Sequence, residues 1–155
     1  MKAVVQRVTQ ARVSVDGQTV GSIQSGLVVL LGIGQGDGEA EAQWMAGKIA
    51  NLRIFEDQHG KFNRSLREVG GAVLLISQFT LYGDAHKGRR PSFRQAAPPA
   101  IAEPLVERVA QVLAGLGVPV SCGRFQAHML VEIHNDGPVT ITLDRPPDAP
   151  QAATV

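Results

Sequence analysis

A chain of 155 residues, 44% hydrophobic and 19% charged, has the size and composition of one folded domain with a real core, which excludes a disordered or fibrous protein. A formal net charge of +1 gives no global field towards nucleic acid or membrane, so any RNA contact has to come from a local patch. The single cysteine, Cys122, excludes an internal disulfide framework, and no apolar run suits a signal peptide or a bilayer span, so the expected compartment is cytoplasmic.

The opening AVVQRVTQARVSV is valine-rich with partial alternation and is followed by Asp16-Gly17, which predicts one or two strands with a hairpin at residues 16–18. Leu27 to Ile33 is a continuous apolar run and therefore a buried strand. The glycines of LGIGQGDG then break the chain. Their spacing matches neither a dinucleotide fingerprint nor a Walker loop, and Asp37, Glu39 and Glu41 would repel phosphate, so the segment reads as a structural turn. From Glu39 the period is helical, with Met45, Ile49 and Leu52 on one face and acidic residues at the favourable dipole end. RIFEDQHGKFN reads as a short strand, a turn at His59-Gly60 and a return.

Ala72 to Leu81 is expected to be a second buried strand, led in by Gly70-Gly71. Residues 83–99 are polar and basic with three prolines, a long loop of the kind that often carries function. The helix after it places Leu105, Val109, Val112, Leu113 and Leu116 on one face, with Pro104 expected in or near its first turn and an end around Gly115 and Gly117. Two closing strands, in HMLVEIH and VTITL, flank NDGPVT (residues 135–140), for which a hairpin turn is the plain reading. Residues 145–155, RPPDAPQAATV, are expected to be a disordered tail behind a single domain of residues 1–144. The fold class is α+β: a strand-rich, mixed, barrel-like sheet with two main helices.

Three stretches carry the chemistry. SQFTL sets Ser77, Gln78 and Thr80 at the end of the most apolar strand. Such side chains either face solvent or, if buried, need a purpose, and a strand end can offer free N–H groups to a developing oxyanion. HKGRRPSFR gathers Lys87, Arg89, Arg90 and Arg94 around Phe93, which is either a solvated face or a surface that holds phosphate and stacks a base. Its closeness to SQFTL points towards an RNA or nucleotide substrate. Third, Gly137-Pro138 is an awkward pair between strands, because proline donates no ladder hydrogen bond and glycine weakens a strand. Metal ligation has little support: His59, His86, His128 and His134 lack ligand spacing, and Cys122, His128 and His134 share a face only on an uninterrupted strand. No G-x-S-x-G elbow is present, and Cys122 has no nucleophile signature.

In chain order, VVQRVTQARVSVDG, LRIFED with GKFNRSL, SQFTLYGD, KGRRPSF and NDGPVT resemble the D-aminoacyl-tRNA deacylases, from Met1 to about Leu143. Phe62 stands where methionine is common in that family, which reads as a core swap. The resemblance implies a homodimeric hydrolase, free of metal, cofactor and membrane, that cleaves the ester between a D-amino acid and the terminal adenosine of tRNA. It also implies removal of glycine from mischarged tRNA(Ala) and rejection of L-aminoacyl-tRNA. Its active site would lie at the subunit interface. Ser77, Gln78, Phe79 and Thr80 of one subunit would form the catalytic pocket, with Leu81 beside them. Gly137 and Pro138 of the other would enter through a cis peptide bond as a chirality filter, supported by Arg7, Met129 and Asn135. Lys87, Arg89, Arg90 and Phe93 would contact tRNA.

The oxyanion donors are expected to be the Phe79 and Thr80 N–H groups, with the ribose 2′-hydroxyl helping to activate water and Thr80 positioning the substrate without attacking it. Two other readings stay open: a non-catalytic RNA-binding dimer, and a threonine-dependent esterase of small substrates.

Overall fold

Burial along β1 (Lys2–Val15) alternates as a half-buried strand should, but the phase changes twice: Ala3 and Val5 are buried, then Val8, then Ala11 and Val13. The changes coincide with two irregularities in its pairing, around Arg7 and around residue 9. The two halves of β1 therefore feed different sides of the sheet. In the computed structural model, which describes residues 1–147, this strand is the spine. One edge pairs with β3 (Gly26–Gly32) and then with β2 (Gln18–Ile23), joined to β1 by the expected turn, in which Asp16 and Gly17 both have positive φ. The other edge pairs with β8 (Leu130–Asp144) over almost its whole length.

β6 (Ala72–Ser77) lies parallel to β3, and β7 (Val120–Cys122) parallel to β6. Ser121 Oγ then donates to the Ser22 carbonyl at 3.0 Å, which brings β7 back against β2 and nearly closes a barrel. The α+β, barrel-like expectation holds. Helices α1 (Glu39–Asn51) and α3 (Pro99–Gly115) provide the crossovers and cover one face, with Met45, Ile49, Val109 and Leu113 fully buried beneath them. The other face of the same strands buries Val8, Val13, Val28, Leu74 and Ile76. No helix among the described residues is long and apolar enough to cross a membrane.

Several local expectations change. The strand from Ala72 stops at Ser77, where the Gln78 N–H completes the ladder on the Leu31 carbonyl at 2.8 Å, and the chain curls into a 3₁₀ turn, Phe79–Tyr82. Pro104 sits inside α3, on its exposed face; the first-turn proline is Pro99, where a missing N–H costs nothing. A short third helix, α2 (Leu66–Val69), follows the two-stranded hairpin of β4 (Phe55–Glu56) and β5 (Phe62–Arg64), closed at its start by reciprocal Ser65–Glu68 hydrogen bonds.

LGIGQGDG does serve as a structural turn. Asp37 Oδ1 accepts from the Met1 ammonium at 2.7 Å, with both side chains fully buried, and Oδ2 accepts from the Gly34 N–H at 2.6 Å. The Tyr82 hydroxyl also bonds Asp37; burial first, then the Asp37 and Asp144 charges, push its pKa up and keep it protonated. Arg145, expected to start a disordered tail, is buried: its N–H donates to the Met1 carbonyl at 2.8 Å, and its carbonyl accepts from the Met1 ammonium at 2.6 Å. The rest of the expected tail, from residue 148, lies outside the described residues.

NDGPVT departs furthest from its plain reading. Residues on both sides of it pair with β1 in one antiparallel ladder, Asn135 with Val8 and Thr140 with Gln6. A hairpin would pair the two halves with each other. Here the strand keeps its direction, and Asp136–Val139 bulge out opposite the single residue Arg7.

Candidate functional site

The end of β6 and the 3₁₀ turn form one wall of an open cavity of about 640 Å³. Ser77, Gln78 and Phe79 supply that wall. Phe93, Ala96 and Ala97 come from the segment after the basic loop, Pro99 and Ala102 from the start of α3, and Phe125–Met129 from the connection between β7 and β8. The lining is mostly apolar, with a few polar groups among it, as in sites that bury part of a small molecule. In the 3₁₀ turn the first amide with an acceptor inside the turn is that of Leu81, on the Gln78 carbonyl at 3.2 Å. The Phe79 and Thr80 amides lie ahead of it, where a turn leaves donors for a ligand. The Thr80 hydroxyl accepts from the Gln78 side-chain amide, a donor that cannot take a proton from it.

A second group forms around the β8 bulge. The Gly137–Pro138 peptide is cis. Asn135 spans the base of the bulge: its Oδ1 accepts from the Val139 N–H at 2.8 Å, and its Nδ2 donates to the Val139 carbonyl and to Thr140 Oγ1 at 3.3 and 3.2 Å. Val139 plugs into the main core. From the β1 side, Arg7 Nε donates to the Asp136 carbonyl at 3.0 Å, and Nη1 donates to the Ile54 carbonyl at 2.8 Å. Gly137 and Pro138 themselves stay exposed, held out on a fixed stem. Arg7 is 5% exposed and so is not a free surface arginine.

Sequence reasoning thus named two clusters. Ser77, Gln78, Phe79, Phe93 and Met129 line the cavity; Arg7, Asn135, Gly137 and Pro138 do not. Thr80 stands at the edge, exposed and outside the lining. Lys87, Arg89 and Arg90 are exposed on a loop closed by paired Asp84–Ser92 backbone hydrogen bonds of 2.8 Å. Phe93 ties that loop to the pocket by an edge-on contact with Phe79, centroids 5.1 Å apart. On the same loop Asp84 accepts from the His86 N–H and ring, and these bonds hold its carboxyl below the usual range.

One reading needs correction. Phe62 is no core swap: it is 53% exposed and lies against Arg7. Cys122 ends β7 and His128 sits in the following connection, so the uninterrupted strand that a face shared with His134 requires is not there. The lining residues that sequence missed are Ile33, Ala96, Ala97, Pro99, Ala102 and Phe125–His128. They form no motif along the chain, and only the fold brings them to Ser77.

The family model for D-Tyr-tRNA(Tyr) deacylase matches residues 4–144. Over 144 residues the chain is 62% identical to a D-aminoacyl-tRNA deacylase of Heliobacterium modesticaldum, covering 93% of this chain and 96% of the relative. The same enzyme of a Roseiflexus species is also 62% identical, with 93% of each covered. Among solved structures, a c-Myc DNA unwinding element binding protein superposes with a TM-score of 0.89 at 44% identity, over 94% of this chain and 99% of that one. A probable eukaryotic D-amino acid tRNA deacylase shares the fold, with a TM-score of 0.79 at 18% identity.

Proposed function

The chain belongs to the D-Tyr-tRNA(Tyr) deacylase family, and we propose that its active site is composite, the pocket of one copy being completed by the Gly137–Pro138 bulge of another. The reaction is hydrolysis of the ester that links a D-amino acid to tRNA. One observation carries the composite site: a rigid, exposed bulge and an open pocket occur in the same chain, and the bulge does not line that pocket.

In this reading the aminoacylated 3′ end of tRNA enters between Phe79, Phe93 and Phe125. The Phe79 and Thr80 amides stabilise the oxyanion as water attacks the ester carbonyl. Backbone carbonyls of the partner's bulge accept from the substrate ammonium and leave no room for an L side chain, while a D side chain points away. A steric filter of this kind discriminates by rejection and needs no knowledge of the side chain. Glycine, with no side chain, passes it, so glycyl-tRNA mischarged on tRNA(Ala) is also a substrate.

The test is to charge tRNA with D- and with L-tyrosine and follow ester loss. Selective loss of the D-ester supports the reading. Equal loss of both points to an unspecific esterase, and binding without loss to an RNA-binding module.

Two predictions follow from the placement of single groups. Thr80 has an amide donor for a partner and no bonded base among the described residues, so Thr80→Ala should keep turnover within about tenfold of wild type. A trapped acyl-threonine together with complete loss of turnover in that variant would sink the positioning role. The basic loop makes a separate, electrostatic contribution. Replacing Lys87, Arg89 and Arg90 by alanine should reduce the slope of log affinity for tRNA against log salt by about 2–3, with the D/L preference unchanged. A slope equal to that of wild type would remove the loop from the tRNA contact.

A further inference from the structure

The β4–β5 hairpin contributes nothing to the pocket, yet it converges on one side chain from three directions. Just ahead of β4, the Ile54 carbonyl accepts from Arg7 Nη1 at 2.8 Å. On β4, Glu56 Oε1 lies 3.7 Å from Arg7 Nη2. On β5, the ring of Phe62 lies against the guanidinium, with its centroid 5.2 Å from Cζ. The rest of Arg7 faces the bulge: Nε donates to the Asp136 carbonyl at 3.0 Å, and Nη2 is 3.4 Å from where a Cβ on Gly137 would stand.

Phe62 is 53% exposed, so it does not fill a core, and its specific neighbour is a cation. An aromatic face attracts a guanidinium and also shields it from water. We infer that Phe62 is a positioning residue for the Gly137–Pro138 bulge, acting through Arg7. The ring fixes the plane of the guanidinium, and only in that plane does Nε reach the Asp136 carbonyl while Nη1 reaches Ile54. Without the ring, water competes for the open face, the guanidinium can rotate, and the Asp136 carbonyl loses its donor. The bulge then keeps its Asn135 staple and its Val139 anchor but loses this tie to β1. This role rests on the reading that the bulge completes a partner's pocket, but the ordering of the bulge can be measured without activity.

The experiment compares wild type, Phe62→Ala and Phe62→Trp. It measures hydrogen exchange over residues 135–140 and kcat and KM on D- and L-tyrosyl-tRNA. Phe62→Ala should exchange the Val139 amide about tenfold faster and lower kcat on the D-ester about tenfold, with KM near wild type. The thermal midpoint should stay within about 2 °C, because the ring is half in water. Phe62→Trp should restore both exchange and kcat. Wild-type exchange and kcat in Phe62→Ala, with D/L selectivity intact in the parent, would overturn the role of Phe62 and leave the composite site standing. A parent that hydrolyses both esters equally would overturn the chirality reading, and with it any role for Phe62 in selection.

Discussion

Alanine in place of Gly137 is expected to cost about a hundredfold in hydrolysis of the D-ester while the protein still folds. Gly137 has a φ of +138°, a conformation that L side chains rarely adopt. A Cβ there would lie 2.6 Å from Val139 Cγ2 and 2.9 Å from the Val139 N, so the backbone of the bulge itself has to shift. Val139 is anchored in the core, and the shift is therefore directed outwards, into the exposed pair that the pocket of another copy would receive. Strain of this kind costs about 1–3 kcal/mol, which a domain of this size survives. Steady-state kinetics on D-tyrosyl-tRNA with a circular dichroism melt separates the two effects. Unchanged kcat/KM in a folded variant would mean that the bulge does not meet the substrate.

The second large effect concerns stability. Asp37→Ala should destabilise the fold by about 3–5 kcal/mol, because it strands a fully buried ammonium. The Gly34 N–H and the Tyr82 hydroxyl lose their acceptor as well. At this chain length the loss corresponds to a fall of roughly 10 °C in Tm. Asp37→Asn should cost less, since its carbonyl oxygen still accepts one of the bonds. Denaturant titration measures both, and equal stability of Asp37→Ala and the parent would contradict the structural role of the LGIGQGDG turn.

Local patterns were legible where local forces decide. Valine alternation and Asp16-Gly17 give β1, β2 and their hairpin; the apolar run gives β3; the acidic start and the Met45–Ile49 stripe give α1. Ser65 and Glu68 carry a capping-box signature at α2 that the pattern reading passed over. The bulge was not legible, because two strands flanking Gly-Pro look the same whether they pair with each other or with a third. Their actual partner, β1, lies at the other end of the chain. Phe62 looked like core because apolar residues usually are, and only its neighbour Arg7 explains why it stays in water. SQFTL was found by its chemistry. The other walls come from segments far apart in the chain, Phe93–Ala102 and Phe125–Met129, which share no motif to read.

The central claim is that one copy's Gly137–Pro138 bulge completes another copy's pocket, and subunit mixing tests it most directly. Gly137→Ala should displace the bulge, and Ala96→Trp should fill the cavity from its half-buried wall. Each variant alone should be nearly inactive on D-tyrosyl-tRNA. Unfolded together and refolded as an equal mixture, they should recover roughly a quarter of the wild-type rate, since half the dimers are mixed and each of these has one intact site. Recovery of no activity from a mixture shown to contain heterodimers would contradict the composite site and return the bulge to its own chain.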